Sequence, residues 1–335
     1  MRVEIPKGEE LVQTVFAHHN EKEFASIALE VYHFQYLNNP VYHAYCSGTG
    51  RTPETVRQLK QIPFLPISLF KTHRVETTPW NAGLIFRSSG TTGTTTSSHY
   101  VKNPAVYQQS FMTGFKQFYG APEDYCIIGL LPSYLDRGDS SLVYMVDALI
   151  KKSGHVQSGF YLSDFEKLAF TLDELERKGQ ASLLIGVSYA LLDFGARFPK
   201  QLKHCTVMET GGMKGRRREL TRAELYESLR SAFGINEVHS EYGMTGLLSQ
   251  AYAINGIFKT PPWMKVLLRD ETDPFLVSGQ EQIGYSGAIN VIDLANIYSC
   301  SFIETADTGK FSEDGFEVLG RLDHSDIRGC SLMAL

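Results

Sequence analysis

Three features of this chain combine residue types and settings that chemistry requires. The first is "FRSSGTTGTTTSSHYV", in which eleven consecutive residues, Ser88 to Ser98, are Ser, Thr or Gly. Such a run has nothing to bury, so it is either a spacer or a loop whose amides and hydroxyls grip an anion. No Gly-Lys-[Ser/Thr] follows the glycines, which excludes a Walker A loop. The second is "GVSYA", Gly186 to Ala190, which approximates a Gly-x-Ser-x-Gly nucleophile elbow around Ser188. Its last glycine is replaced by Ala190, and spacing marks no downstream Asp or His as a partner; the plainer reading is a strand-to-helix turn. The third is "SDIRGCSLMAL", where Cys330 follows a glycine and has Arg328 nearby to favour a thiolate. Cys46, Cys126, Cys205 and Cys300 lack CxxC spacing and suggest neither a zinc site nor a disulfide framework. His18, His19, His33 and His43 lack HxxxH spacing and read as packing or surface residues.

The elements that must position these residues are legible in outline. Residues 1–80 read as a helical lead-in: "EKEFASIALEVYHFQYL" has apolar residues at helical spacing, and "TPETVRQLKQI" opens with Thr52 as N-cap and Pro53 at N1. Residues 81–250 alternate strands with helices. "LIF" leads through the Ser/Thr/Gly loop to a helix capped by Asn103 with Pro104 at N1; "YCIIGLL", "SLLIG" and "HCTVM" each lead to an amphipathic helix. This alternation predicts an α/β core with a mixed, mostly parallel sheet covered by helices, and loops that present ligands at strand ends. Residues 251–320 read as a β-rich part, with "MKVLLRD", "GAINVIDL", "CSFIET" and "GFEVLG" as strands, and residues 321–335 as a tail.

Composition narrows the classes. The 335 residues are 43% hydrophobic and 21% charged, ordinary for a globular protein. A net charge of -5 gives no reason to expect nucleic acid, and the dense cation run "KGRRREL" has no aromatic platform beside it. It is either a solvated first helical turn or an attraction for an anionic ligand or partner. No signal peptide and no membrane span is apparent, so a cytoplasmic protein is the default. Tyr134 and Phe160 either pack in the core or line an apolar pocket.

Five segments in fixed order then carry a resemblance. "SSGTTG" (Ser88, Ser89, Gly90, Thr91, Thr92, Gly93), "ETGGMKG", "SEYGMTG", "TADTG" and "GRLDHSDIRG" resemble, in sequence order, the motifs of adenylate-forming enzymes, the acyl-CoA ligase and luciferase superfamily. Within it the chain is most similar to the LuxE-like acyl-protein synthetases, through "FLPISLFKTH", "LLPSYLDRGDSSLVYMV", "VMETGGMKGRR", "HSEYGMT", "PPWMK" and "SDIRGC". The resemblance implies the large N-terminal-type domain of that superfamily, without its mobile C-terminal lid. It implies ATP and magnesium as cofactors, and activation of a carboxylic acid, expected to be fatty, as an acyl-adenylate. Transfer to a protein thiol follows, with an acyl-accepting partner such as a reductase or carrier. It puts the phosphates at Ser88 to Gly93, Thr245 near the α-phosphate, Gly211 and Gly212 beside the adenine, and Tyr242 packed on it. Asp307 falls at the ribose, Arg321 at the ribose or phosphate, Asp323 at the hinge, and Cys330 as acyl carrier with Cys300 a lesser candidate. One departure stands out: the superfamily's magnesium-binding Glu is Gly246 here, so that Glu241, Glu209 or water would have to substitute.

Overall fold

The computed structural model describes residues 8–17, 20–78, 80, 83–88, 96–131, 139–162, 164–212 and 220–322. Helices begin where the sequence supplies a cap. The lead-in comprises α1 (Gly8–Val15), α2 (Glu21–Asn38) and α3 (Pro40–Gly48). Asn20 accepts from the Lys22 and Glu23 amides while Glu23 accepts from the Asn20 amide, a reciprocal capping box for α2. Thr52–Ile62, expected to be helical, is instead a turn followed by a single 3₁₀ turn at Leu59–Gln61. The Gln61 side chain accepts from the Arg57 and Gln58 amides, and Thr55 Oγ1 donates to the Gly50 and Thr52 carbonyls; these bonds replace the helical ladder.

Strands β1 (Leu65–Pro66), β2 (Leu84–Arg87) and β3 (Ser98–Val101) precede α4 (Pro104–Tyr119), which Asn103 caps with Pro104 in the first turn. The α/β core continues through β4 (Cys126–Leu130), α5 (Ser141–Ser153), β5 (Gly159–Phe160), α6 (Phe165–Lys178), β6 (Ser182–Gly186), α7 (Ser188–Arg197), β7 (Cys205–Glu209), α8 (Arg222–Phe233) and β8 (His239–Tyr242). The remainder is β9 (Ala251–Ile254), β10 (Ile257–Lys259), β11 (Met264–Arg269), β12 (Val277–Ser278), β13 (Ser286–Asp293), β14 (Phe302–Ser312) and β15 (Gly315–Arg321).

One mixed sheet runs β12-β11-β13-β14-β15-β10-β9-β8-β7-β6-β4-β5, with β1 added in parallel to β14. From β5 to β8 the pairs are parallel; from β8 to β12 they are antiparallel. The α/β core therefore contributes the parallel block and the β-rich end the antiparallel block, matching the expected fold class. β4 and β6 are buried at every position, the mark of strands covered on both faces. Gly195 lets α7 meet α8: a Cβ there would lie 2.8 Å from Ala232 Cβ. Phe160 packs over Gly129, where a Cβ would lie 2.6 Å from its ring, so this aromatic belongs to the core.

Candidate functional site

The Ser/Thr/Gly run opens from a β-hairpin rather than leading straight from strand to helix. β2 pairs antiparallel with β3, with Arg87 opposite Ser98. At its base the Ser88 amide donates to the Ser97 carbonyl (3.0 Å) and the Ser97 amide to Ser88 Oγ (2.9 Å). Ser88 thus clamps the mouth of the loop. Ser89, Gly90, Thr91, Thr92 and Gly93 lie outside the described residues, as do Asp323, Tyr134, Cys330 and the basic residues of "KGRRREL".

Beyond the ends of β6 and β7 the chain makes the turn that holds Gly211 and Gly212. Their φ values of 73° and 90° demand glycine, and a Cβ on Gly212 would lie 3.4 Å from Val187. Buried Glu209 fixes the turn: its Oε2 accepts from the Gly211 amide (2.7 Å) and from Ser188 Oγ (2.9 Å). The first amides of α7 bond back to the turn, Ser188 to the Gly211 carbonyl and Tyr189 to that of Gly212. Ser188 is 1% exposed with its hydroxyl committed to a carboxylate, so it is a structural clamp and not a presented nucleophile. Glu241, one residue past the β8 partner of Glu209, has a carboxyl enclosed by protein although the residue is half-buried. That enclosure, with the charge of Glu209 added, pushes its pKa up to about 8.

Tyr242, Asp307 and Arg321 meet across the junction of the two blocks. The Tyr242 hydroxyl donates to Asp307 Oδ2 (2.9 Å), and Arg321 Nε lies 3.6 Å from Asp307 Oδ1. Asp307 stands directly opposite Arg321 on β14 and β15, next to a bulge at Thr308/Gly309. Gly309 is required there, since a Cβ would fall 2.8 Å from the Glu317 carbonyl oxygen. The Tyr242 ring is edge-on to Phe258 and Phe316 and only 9% exposed. Burial and the Asp307 carboxylate keep its phenol protonated. The Arg321 side chain, 64% exposed, leaves most of its guanidinium open to a ligand.

Thr245 and Gly246 form the loop after β8. The Thr245 carbonyl lies 2.7 Å from His99 Nδ1, and the Gly246 carbonyl accepts from Asn296 Nδ2 at 2.7 Å. His99 belongs to β3, so this bond ties the Ser/Thr/Gly hairpin to the motif loop. The position where the resemblance expects a magnesium-binding carboxylate is Gly246. Gly246 has no carboxylate, a Cβ on it would lie 2.5 Å from Ile67 Cδ1, and Phe70 stands behind. Among the described residues no group of three or more His, Cys, Asp or Glu side chains is placed to hold a metal ion.

Cys300 is buried, donates from Sγ to the Phe302 carbonyl, and has its thiol pushed far up by burial. Among the described residues its sulfur is closed off from solvent. Cys46, Cys126 and Cys205 are likewise buried, their thiols pushed up to about 12, 11 and 12. His99, Asn296 and Ile67 escape sequence reasoning because their partners lie far along the chain. Glu209 and Glu241 were reachable from it as carboxylates flanking the glycine and tyrosine motifs. No described helix is long and apolar enough to cross a membrane.

Comparison with protein-family profiles and with curated proteins returns no match. Among solved structures the chain is similar to CmiS6, with 10% identity, TM-score 0.48, and coverage of 81% of this chain and 67% of that one. It is similar to a fatty acyl-adenylate ligase from L. pneumophila in complex with acyl adenylate and pyrophosphate, with 13% identity, TM-score 0.47, and coverage of 77% and 54%. It is also similar to a mutant form of coronafacic acid ligase from Pectobacterium brasiliense, with 15% identity, TM-score 0.42, and coverage of 59% and 39%. The chain thus spans between 39% and 67% of the length of these three structures. Likeness at this level fixes neither reaction nor substrate.

Proposed function

We propose that this chain is an adenylate-forming ligase that converts a carboxylic acid, a fatty acid first among the candidates, to an acyl-adenylate and passes the acyl group to a protein thiol. The observation that carries this reading is the meeting of Tyr242, Asp307 and Arg321, residues of three separate motifs. Residues from separate ordered motifs converge there: Tyr242 ends β8, the last strand of the parallel block, and Asp307 and Arg321 face each other on the antiparallel pair β14 and β15. In this reading Asp307 accepts from the ribose hydroxyls, and Arg321 adds positive charge to ribose or phosphate. Gly211 and Gly212 allow close approach to the adenine. Tyr242 borders the base through its edge and holds Asp307, rather than offering an open face.

Ser88 and the loop it closes, Ser89 to Gly93, surround the phosphates with amides and hydroxyls, and Thr245 stands near the α-phosphate. A carboxylate oxygen attacks the α-phosphorus and pyrophosphate departs. The protein's contribution is alignment and neutralisation of the charge on the leaving group. The acyl carbon of the mixed anhydride then accepts a thiolate, and AMP leaves. Cys330 is the proposed thiol, and an acyl-accepting protein the proposed next carrier. No step is routed through magnesium, because Gly246 and Ile67 leave the expected ligand position without an oxygen.

That same substitution favours a second reading, a nucleotide- or acyl-binding scaffold without turnover. ATP–pyrophosphate exchange with a panel of carboxylic acids separates the two. Exchange with any acid supports the ligase and identifies its substrate class; nucleotide binding without exchange supports the scaffold. Labelled acid with ATP should then leave hydroxylamine-sensitive label on the wild type and none on Cys330→Ser.

A further inference from the structure

The segment that carries Asp307 leaves the regular ladder of the sheet. On β13, Ala288 stands opposite Thr308 and Asn290 opposite Glu304, so Thr305, Ala306 and Asp307 of β14 have only Ile289 across from them. A strand that bows out in this way needs other partners for its backbone. Arg269 and Thr305 supply them. Arg269, on β11 and 5% exposed, donates from Nη1 to the Ile289 carbonyl (3.0 Å) and from Nη2 to the Thr305 carbonyl (2.9 Å), so one guanidinium spans the gap. Thr305 Oγ1 donates to the same Ile289 carbonyl (2.8 Å) and accepts from the Asp307 amide (3.2 Å). The bonds therefore run from Arg269 through Thr305 to Asp307, whose Oδ2 then takes the Tyr242 hydroxyl.

Stability alone would not favour this arrangement. Glu304 Oε1, 3.3 Å from Arg269 Nη2, provides the counter-charge for an enclosed cation. Buried Asn290 gives its Oδ1 to Nη1 (2.9 Å), and its Nδ2 has no partner among the described residues. Turning that amide would set Nδ2 against the guanidinium, so the orphan stays. Buried ion pairs often stabilise no better than apolar packing, and an unsatisfied amide costs more. What the network does hold is the path of residues 305–307.

We propose that Arg269 and Thr305 are positioning residues that fix the Asp307 carboxylate for a ribose, and so set the preference for a nucleotide with ribose hydroxyls over one without them. The inference rests on the nucleotide reading above. Both side chains are buried, so they act through Asp307 and not on the nucleotide itself.

Calorimetric titration of the full chain with ATP and with 2′,3′-dideoxy-ATP tests it. The wild type should bind ATP about 10- to 100-fold more tightly, the range of a hydrogen bond to a charged group. Thr305→Val, of the same shape without the hydroxyl, should reduce that ratio to about threefold, and Thr305→Ser should keep it. A role in folding alone would lower the melting temperature and leave the ratio in place. Equal ratios in the wild type and Thr305→Val overturn this inference and leave the nucleotide reading intact. A wild type that binds both nucleotides equally removes Asp307 from the ribose, and one that binds neither overturns the nucleotide reading; either result ends this inference too. Should Thr305→Val not fold, Arg269→Lys decides. It keeps the charge but cannot fork to two carbonyls, so the ratio should fall, and an unchanged ratio overturns the proposal.

Discussion

Two polar clusters flank the loop after β8, and they are built to opposite ends. On one side Asp293, Ser249, Ser110, Trp263 and Asn296 are buried. Asp293 takes four hydrogen bonds, and Trp263 Nε1 donates to both Ser110 Oγ and Ser249 Oγ. On the other side Tyr242 and Asp307 are bonded to each other, while Arg321 reaches only the edge of that pair and remains mostly in solvent. Polar groups sealed in an apolar core must be satisfied internally, so the first cluster fixes the loop's path. The second leaves the Arg321 guanidinium mostly in solvent. Burial with full satisfaction marks Asp293 as structural, whereas Asp307, paired with a largely exposed Arg321, is the carboxylate that the proposed function assigns to a ligand.

Substitutions should separate the clusters. The largest effect is expected for Asp293→Ala, which strands three amides and a hydroxyl in the core. Denaturant unfolding should register a loss of about 3–5 kcal/mol. Asp307→Ala should lower ATP affinity by about 30-fold, the cost of a charged hydrogen-bond acceptor, yet change stability by no more than about 1 kcal/mol. If the two variants behaved alike, the division between the clusters would fail.

Gly246→Ala should cost about 1–3 kcal/mol by driving Cβ into Ile67, and an Ile67→Ala background should recover much of it. A full cost that persists there would mean that the clash lies elsewhere. Glu241 offers a smaller, pH-dependent effect. Its folded pKa of about 8 lies above the ordinary 4.5, so the native state holds the proton more tightly than the unfolded chain. Stability from this group is complete at low pH and is lost as pH rises from about 4.5 through 8. Melting of Glu241→Gln should lack this decline and exceed the wild type near pH 8.5 by about 1–2 kcal/mol, discounted for partial solvent access.

The parts of the fold that were legible are those written in local chemistry. Asn103-Pro104 marks a helix start because the cap and its partner sit within three residues of each other. Thr52-Pro53 carries the same signal and fails, because Gln61 and Thr55 offer the backbone better partners. β3 was missed: four residues after a low-complexity loop give too little alternation, and its register is set by β2. At the site the glycine turn, Tyr242, Asp307 and Arg321 were readable as motifs. The bond between Tyr242 and Asp307 crosses 65 residues and that between His99 and Asn296 crosses 197, separations at which sequence pattern carries no signal. Ile67 behind Gly246 was hidden for the same reason, and with it the physical reason a carboxylate is missing there.

The central claim is that the Ser88 hairpin, the Gly211–Gly212 turn and the Tyr242–Asp307–Arg321 group together bind one nucleotide. A crystal structure of the full chain with a non-hydrolysable ATP analogue tests it most directly. Adenine should lie against Gly211 and Gly212, the ribose hydroxyls on the Asp307 carboxylate, and the phosphates within the loop that Ser88 closes. A nucleotide bound elsewhere, with Asp307 touching only Tyr242 and Arg321, would contradict it.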